Sequence, residues 1–212
     1  MRIGILGTGN LAEALGGCWV RAGHRVTVAG RSADRAAALA DRLGGAARAA
    51  APRRAVYDAD AVLLAVPWGG IDDMLRDAGA VHGSLAGVTV IDPINAVEHG
   101  VGVLLTEPGA STADRIAATA PGSRVVKGFH MVPSTQWGVS GPGPTTVPLC
   151  GDDPAALAVA ETLVRDTGAV PAVVGGLSRA RQLDEAAGLF ISLAFAGVDP
   201  RTVLPTLPPV HS

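Results

Sequence analysis

Aromatic side chains make up only 3% of these 212 residues, three Trp, three Phe and one Tyr, so alanine, valine and leucine must build the core. Cysteine is scarcer still. Cys18 and Cys150 stand far apart with no Cys-x-x-Cys spacing, which excludes a zinc ribbon or a redox pair. The five histidines are scattered without metal-ligand spacing, so no metal site is expected. Basic runs are missing and the net charge is −2, which argues against a nucleic-acid partner. Long apolar runs are missing as well: the longest, Ala186 to Gly197, is too short to cross a bilayer, and strand-like sequence starts at Arg2 with no leader before it. The expectation is a soluble, cytoplasmic protein with no membrane partner, long enough for one α/β domain and a smaller appendage.

What is present is glycine in a telling place. Arg2-Ile3-Gly4-Ile5-Leu6 reads as a strand, and Gly7-Thr8-Gly9-Asn10-Leu11-Ala12 follows it directly as the Gly-x-Gly-x-x-Ala form of a dinucleotide-binding turn. Gly7 permits a sharp turn off the strand, Gly9 lets backbone N–H groups approach a pyrophosphate, and Ala12 lets the next helix lie close to the sheet. That helix, apolar at Leu11, Leu15, Cys18, Trp19 and Ala22, aims unpaired N–H groups and the positive end of its dipole at the phosphates. Gly7, Thr8, Gly9, Asn10 and Leu11 are therefore candidate cofactor contacts. The second strand, Arg25 to Ala29, ends at Gly30-Arg31-Ser32, with Arg35 one helical turn on. An NAD site usually offers a carboxylate there to the ribose 2′-hydroxyl, whereas a guanidinium fork matches a 2′-phosphate. Arg31, with Ser32 and Arg35, points to NADP(H).

Helix and strand patterns alternate beyond this unit. A helix from Ala33 to Leu43 is followed by a short segment at Ala47 to Ala50 and by the apolar run Ala61 to Val66, which suits a strand buried on both faces. A helix near Gly70 to Ala78, a strand at Val88 to Ile91, a helix near Thr112 to Ala120 and a strand at Arg124 to Lys127 come next. This alternation predicts a Rossmann-type α/β fold with a doubly wound parallel sheet. Val132 to Pro148 is rich in proline and glycine and reads as a long loop. Past it lie a strand at Val147 to Gly151, a helix started by Asp153 and Pro154, a strand at Ala169 to Val174, and a last helix from Ser178 to Ala196. The organisation expected is an NADP-binding Rossmann domain over residues 1–145 and a small C-terminal α/β and helical part over 146–212 that serves substrate and dimerisation. The last helix is apolar on nearly every side from Ala186 and needs cover. Leu189, Phe190, Leu193 and Phe195 thus predict a homodimer, the alternative being cover by the helix's own domain.

Ligands of such sheets sit beyond the C-terminal strand ends. At one end, Val66 and Pro67 could wall the ribose or nicotinamide, with Trp68 at the pocket mouth or simply packing. At the next, Asn95 could orient the nicotinamide carboxamide or ribose, or merely make a turn. At the third, His130 could place a proton donor beside the hydride path or be structural. No nucleophilic triad or carboxylate pair is in evidence, and direct hydride transfer requires none: positioning supplies most of the rate and the cofactor supplies the chemistry.

Taken together, Gly7-Thr8-Gly9-Asn10-Leu11, Gly30-Arg31, Val66-Pro67-Trp68, Phe129-His130-Met131-Val132-Pro133, Val147-Pro148-Leu149-Cys150-Gly151-Asp152-Asp153 and Gly176-Leu177-Ser178-Arg179 resemble, in order and spacing, the NADPH-dependent coenzyme F420 reductases over nearly the whole chain. The chain is similar, more distantly, to the cytosolic oxidoreductase domains of membrane metalloreductases, and His130 stands where those tend to carry Asn. The resemblance implies reversible hydride transfer between the nicotinamide C4 of NADPH and C5 of the deazaflavin coenzyme F420 as co-substrate, with a proton reaching N1 from His130 or a held water. Gly30 departs from the family's frequent Ser. The Gly138 to Pro144 loop and the tail from Pro200 look particular to this chain and are expected near the second substrate. A reductase of the same fold acting on a flavin or a small imine or carbonyl compound, or a non-catalytic NADPH sensor, remain alternatives. Titration of Arg31→Ala is expected to show NADPH binding weakened by about 1.5–3 kcal/mol with NADH nearly unchanged. Equal losses for both nucleotides would refute the 2′-phosphate assignment.

Overall fold

A computed structural model describes residues 1–137 and 145–203, so the Gly138 to Pro144 loop and the tail beyond Val203 lie outside the described residues. In chain order the elements are β1 (Arg2–Leu6), α1 (Asn10–Arg21), β2 (Arg25–Ala29), α2 (Ala33–Leu43), β3 (Arg48–Ala49), α3 (Pro52–Ala55), β4 (Ala61–Leu64), α4 (Ile71–Asp77), β5 (Thr89–Asp92), α5 (Thr112–Thr119), β6 (Arg124–Lys127), β7 (Thr146–Gly151), α6 (Pro154–Arg165), β8 (Val170–Gly175) and α7 (Ala180–Phe195). The strands form one eight-stranded sheet in the order β3-β2-β1-β4-β5-β6-β7-β8. Strand order reverses between β1 and β4, which run parallel with Ile3 opposite Ala61 and Leu6 opposite Leu64. That reversal is where a crevice opens in sheets of this kind.

Local sequence explains most boundaries. The central strands are continuous apolar runs because both faces are covered: Ile3 to Leu6 and all of β4 are buried. Ser32 caps α2 by accepting from the Arg35 N–H, Ser111 and Asp114 close a capping box on α5, and Asp153 accepts from the Ala156 N–H ahead of Pro154 on α6. The four-residue α3 has no periodicity to betray it. It lies on β1 at Gly4, where an added Cβ would stand 2.6 Å from the Ala55 carbonyl oxygen.

The sheet departs from the expected parallel arrangement at one junction. β7 pairs antiparallel to β6, with Lys127 opposite Cys150, and β8 then runs parallel to β7. A parallel return needs a crossover of a dozen or more residues, usually helical, and the described part of this connection holds only the single turn Ser134–Gln136. The C-terminal segment therefore continues the same sheet across the boundary expected at residue 145. Trp19 on α1 crosses it too: its indole is buried, edge-on to Phe129 at 5.9 Å between centroids, and its Nε1 donates to the Leu163 carbonyl on α6 at 3.0 Å.

Apolar residues fill both faces of the sheet, α1 and α6 covering one and α4, α5 and the start of α7 the other. Further along α7, Leu189 is 52% and Phe195 57% exposed, while Phe190 and Leu193 are half-buried. Among the described residues no helix is long and apolar enough to cross a membrane.

The core also takes in His130. Burial, and next the positive charge of Lys127, hold its imidazole well below the usual value of 6.5. The unfolded chain thus binds a proton that the folded chain refuses, in the window between that depressed pKa and 6.5. Stability contributed by the neutral ring is complete above this window and is lost as pH falls through it. Thermal melts are expected to show the wild type losing more stability than His130→Gln when the buffer is taken from about pH 7.5 to about pH 5.5. Parallel curves would remove His130 from the acid sensitivity.

Candidate functional site

The crevice at the strand reversal is one cleft in two parts. The larger, about 470 Å³, is lined by the Gly7-Thr8-Gly9 turn, by Arg31 just before α2 and Arg35 and Arg42 on it, and by Ala65, Val66 and Pro67. The smaller, about 290 Å³, continues past Gly9 and Val66 along the start of α1 to Trp68 and to the Pro93-Ile94-Asn95 turn after β5. A further concavity of about 210 Å³ lies at the opposite ends of β1 and β2, where Asp58 and Asp60 already pair with Arg2.

The first part has the features of a phosphate site. Gly7 has φ +137°, and a Cβ there would overlap the Ala65 carbonyl oxygen. A Cβ on Gly9 would meet nothing within 4 Å, so the turn leaves open space in front of α1. No side chain caps α1, and the first helical bond is from the Glu13 N–H to the Gly9 carbonyl, leaving the N–H groups at its start free for an anion. Arg31 and Arg35 have no carboxylate partner among the described residues, whereas Arg42 is held by Glu13 through two bonds of 2.8 and 2.9 Å. Two unpaired guanidinium groups beside an uncapped helix start fit a dinucleotide carrying a 2′-phosphate. Ser32 does not line the cleft; its hydroxyl accepts from the Arg35 N–H at 3.3 Å. The Gly30 departure also has a steric reason, because the methyl of Thr8 lies 2.9 Å from where a Cβ at Gly30 would be.

The second part is neutral. Val66, Pro67, Asn10, Leu11 and Asn95 line it as expected of strand-end residues, and Trp68 forms its outer wall. Arg115 on α5 lies over the Trp68 ring at 4.2 Å and is fixed in turn by Asp72 on α4 through bonds of 3.0 and 2.5 Å. That bond to Arg115 holds the Asp72 carboxyl below the usual range. Asn95 donates through Nδ2 to the His130 carbonyl at 2.7 Å, which leaves its buried Oδ1 without a partner among the described residues.

His130 takes its place by its backbone rather than its ring. The imidazole is not among the groups lining either part of the cleft. It sits against the backbone of Gly128 and Leu183, with neither nitrogen in a hydrogen bond of standard geometry. Cys150 is buried and its thiol is pushed up to about 12 by that burial, so it is no thiolate nucleophile.

Beneath the neutral part lies a group that sequence patterns do not reveal. Lys127 at the end of β6 is fully buried, with its Nζ 2.6 Å from Asp184 Oδ1 on α7 and 3.2 Å from Asp92 Oδ2 at the end of β5. It also donates to the Ile94 carbonyl at 2.6 Å and to Thr112 Oγ1 at 2.8 Å. Its partners are separated from it by 15 to 57 residues, so only the strand-end position of Lys127 itself was a signal.

Comparisons with known proteins agree with this geometry. Residues 2–96 match the family model described as NADP oxidoreductase coenzyme F420-dependent. Metalloreductase STEAP3 of Rattus norvegicus is 27% identical over 186 residues, which are 86% of this chain; the chain spans only 36% of that curated relative. Among solved structures, a candidate F420-dependent NADP-reductase from Arthrobacter sp. FB24 superposes with a TM-score of 0.80 at 25% identity, covering 94% of this chain and 96% of that one. A reductive aminase from Aspergillus terreus, solved with NADPH and ethyl-5-oxohexanoate, has a TM-score of 0.68 at 20% identity over 92% of this chain and 62% of its own, a likeness of fold alone. The match over residues 2–96, which hold β1 to β5 and the strand-reversal cleft, makes this part of the chain similar to the family described as NADP oxidoreductase coenzyme F420-dependent.

Proposed function

We propose that the chain binds NADPH along the cleft and exchanges a hydride with coenzyme F420 seated against the neutral end, as a cytoplasmic homodimer. The observation that carries this reading is that none of the side chains described as lining the 290 Å³ part is titratable. Reduction of a carbonyl or imine asks for an acid held beside the atom that gains the proton. Exchange between two planar rings asks instead for contact distance and a dry wall. The family match and the description of the Arthrobacter structure support the same acceptor.

NADPH, when bound, supplies the hydride from its nicotinamide ring. In this reading Arg31 and Arg35 hold the 2′-phosphate, the Gly7-Thr8-Gly9 turn and the N–H groups of Asn10 and Leu11 take the pyrophosphate, and Val66 and Pro67 wall the ribose and ring. Asn95 Oδ1 accepts from the carboxamide. Trp68, kept flat by Arg115, presents its edge and free face to the acceptor at the mouth. Ser32 contributes by fixing the start of α2 beneath the arginines. His130 contributes through the carbonyl that anchors Asn95, and the proton that accompanies reduction of the acceptor comes from water at the open mouth.

The homodimer reading rests on α7. Its exposed Leu189 and Phe195 adjoin the loop bearing exposed Val101 and Val103, which packs on the helix where Gly102 and Gly188 meet backbone to backbone. Burying such side chains against a second copy removes apolar surface from water at about 25 cal/mol per Å².

Anaerobic mixing of the protein with NADPH and oxidised coenzyme F420 is expected to bleach the visible absorbance of the deazaflavin much faster than that of free flavin in a parallel cell, with no turnover of a cyclic imine. Bleaching of the flavin alone, or reduction of the imine alone, would transfer the reading to that acceptor. Light scattering is expected to give the mass of two chains, falling to one when Leu189→Glu and Phe195→Glu are combined; a wild-type mass of one chain would end the dimer reading.

A further inference from the structure

The chain holds seventeen Lys and Arg residues, and Lys127 is its one lysine. It is also the one basic side chain among the largest fully buried groups. Four segments meet at its Nζ: Asp92 closes β5, Ile94 lies in the turn after it, Thr112 opens α5 and Asp184 sits on α7. A second set of bonds ties the same segments together. The Ile94 N–H donates to Asp92 Oδ1 at 2.9 Å, the Thr112 hydroxyl donates to Asp92 Oδ2, and the Thr112 N–H reaches Asp184 Oδ2 at 3.3 Å.

The turn these bonds hold is the inner wall of the neutral end of the cleft, where Pro93, Ile94 and Asn95 line the 290 Å³ part. It is pinned at two adjacent residues, by Lys127 at the Ile94 carbonyl and by the His130 carbonyl at Asn95 Nδ2, 2.6 and 2.7 Å away. Both anchors come from the end of β6. The atom left free is Asn95 Oδ1.

We propose that Lys127 is a positioning residue for the nicotinamide end of the cleft: it fixes the Asp92 to Asn95 turn, and so aims Asn95 Oδ1, while Asp184 makes the seating of α7 part of the same fixture. This rests on the reading of the cleft as a dinucleotide site. The amine is suited to the task because a compact ammonium points its three donors in different directions, shared among two carboxylates, a carbonyl and a hydroxyl, which a planar guanidinium fork does not. With two carboxylates around it, removal of the amine also leaves like charges facing each other out of water. The consequence is local to one end of the cleft, because the Gly7-Thr8-Gly9 turn and Arg31 share no bond with this cluster.

The test compares two probes on one protein. Adenosine 2′,5′-bisphosphate reaches only the arginine-lined part, whereas NADPH fills both. In Lys127→Met, titration is expected to show the bisphosphate bound within about 2-fold of wild type and NADPH weakened by about 10-fold or more, a difference of about 1.4 kcal/mol per factor of ten. Asn95→Ala is expected to give the same pattern. The two substitutions combined should lose no more than the larger single loss, because they act through one turn. Equal weakening of both probes would reduce Lys127 to general support of the fold and overturn the proposal, as would unchanged NADPH binding or additive losses. Should Lys127→Met fail to fold, Asp184→Asn and Thr112→Val keep the amine while removing one partner each, and the same ratio of probe affinities decides. A wild type that binds neither probe would bring down the dinucleotide reading itself, an outcome distinct from any difference between variants.

Discussion

Gly7 turns against the carbonyl of Ala65 so closely that a Cβ on it would overlap that oxygen, and the cleft is built around this backbone contact. The Gly7 N–H donates to the Ala29 carbonyl and the Ala65 N–H to the Leu6 carbonyl, each at 2.8 Å, so the ends of β2, β1 and β4 are locked in one row. From that row the chain leaves β1 toward α1 on one face and β4 toward α4 on the other, and the space between the departing chains is the binding crevice. Both parts of the cleft accordingly share Gly9, Ala65, Val66 and Pro67. A side chain at Gly7 would part the strands and move the Gly7-Thr8-Gly9 turn away from the wall formed by Ala65, Val66 and Pro67.

The charge along this crevice is graded. At one end, arginines converge on an uncapped helix start; at the other, apolar and amide groups meet an indole. A ligand with one highly anionic half and one flat, nearly neutral half matches that gradient along its length. The ionisable groups nearest the neutral end have been drawn out of it. Arg115 and Asp72 satisfy each other behind Trp68, and Lys127, Asp92 and Asp184 do so beneath the Asn95 turn, which leaves the neutral end without an ionisable side chain among its described lining residues.

How much of this was legible before the fold was known follows from the range of each interaction. The glycine turn, Arg31 and the Val66-Pro67-Trp68 strand end were readable because each is a local pattern whose meaning depends on a strand before it and a helix after it. The caps at Ser32 and Asp153 were written within three residues of the groups they satisfy. What escaped was set across the chain. The antiparallel return of β7 goes with a connection whose described residues hold no crossover helix, the short α3 with the close approach of Ala55 to Gly4, and the Lys127 cluster with Asp184, 57 residues away. Ser32 was read as a ligand contact although its position just before a helix equally suits a cap, and the hydroxyl does the nearer job. His130 drew notice as the histidine at a strand end, yet a strand end delivers a backbone carbonyl as readily as a ring, and here the carbonyl is what meets the cleft wall.

The sealing of Lys127 has a consequence for the protein's surface. No lysine amine faces solvent anywhere along the chain, and the amino group of Met1 rests against His24 Nδ1 at 2.9 Å. Every positive side chain that a passing molecule meets, histidines aside, is a guanidinium, which keeps its charge across the whole physiological range. Acyl donors and ubiquitin-type conjugation, which neutralise or tag lysines on other proteins, find no accessible lysine amine here, so the positive charges on this face are beyond the reach of lysine acylation.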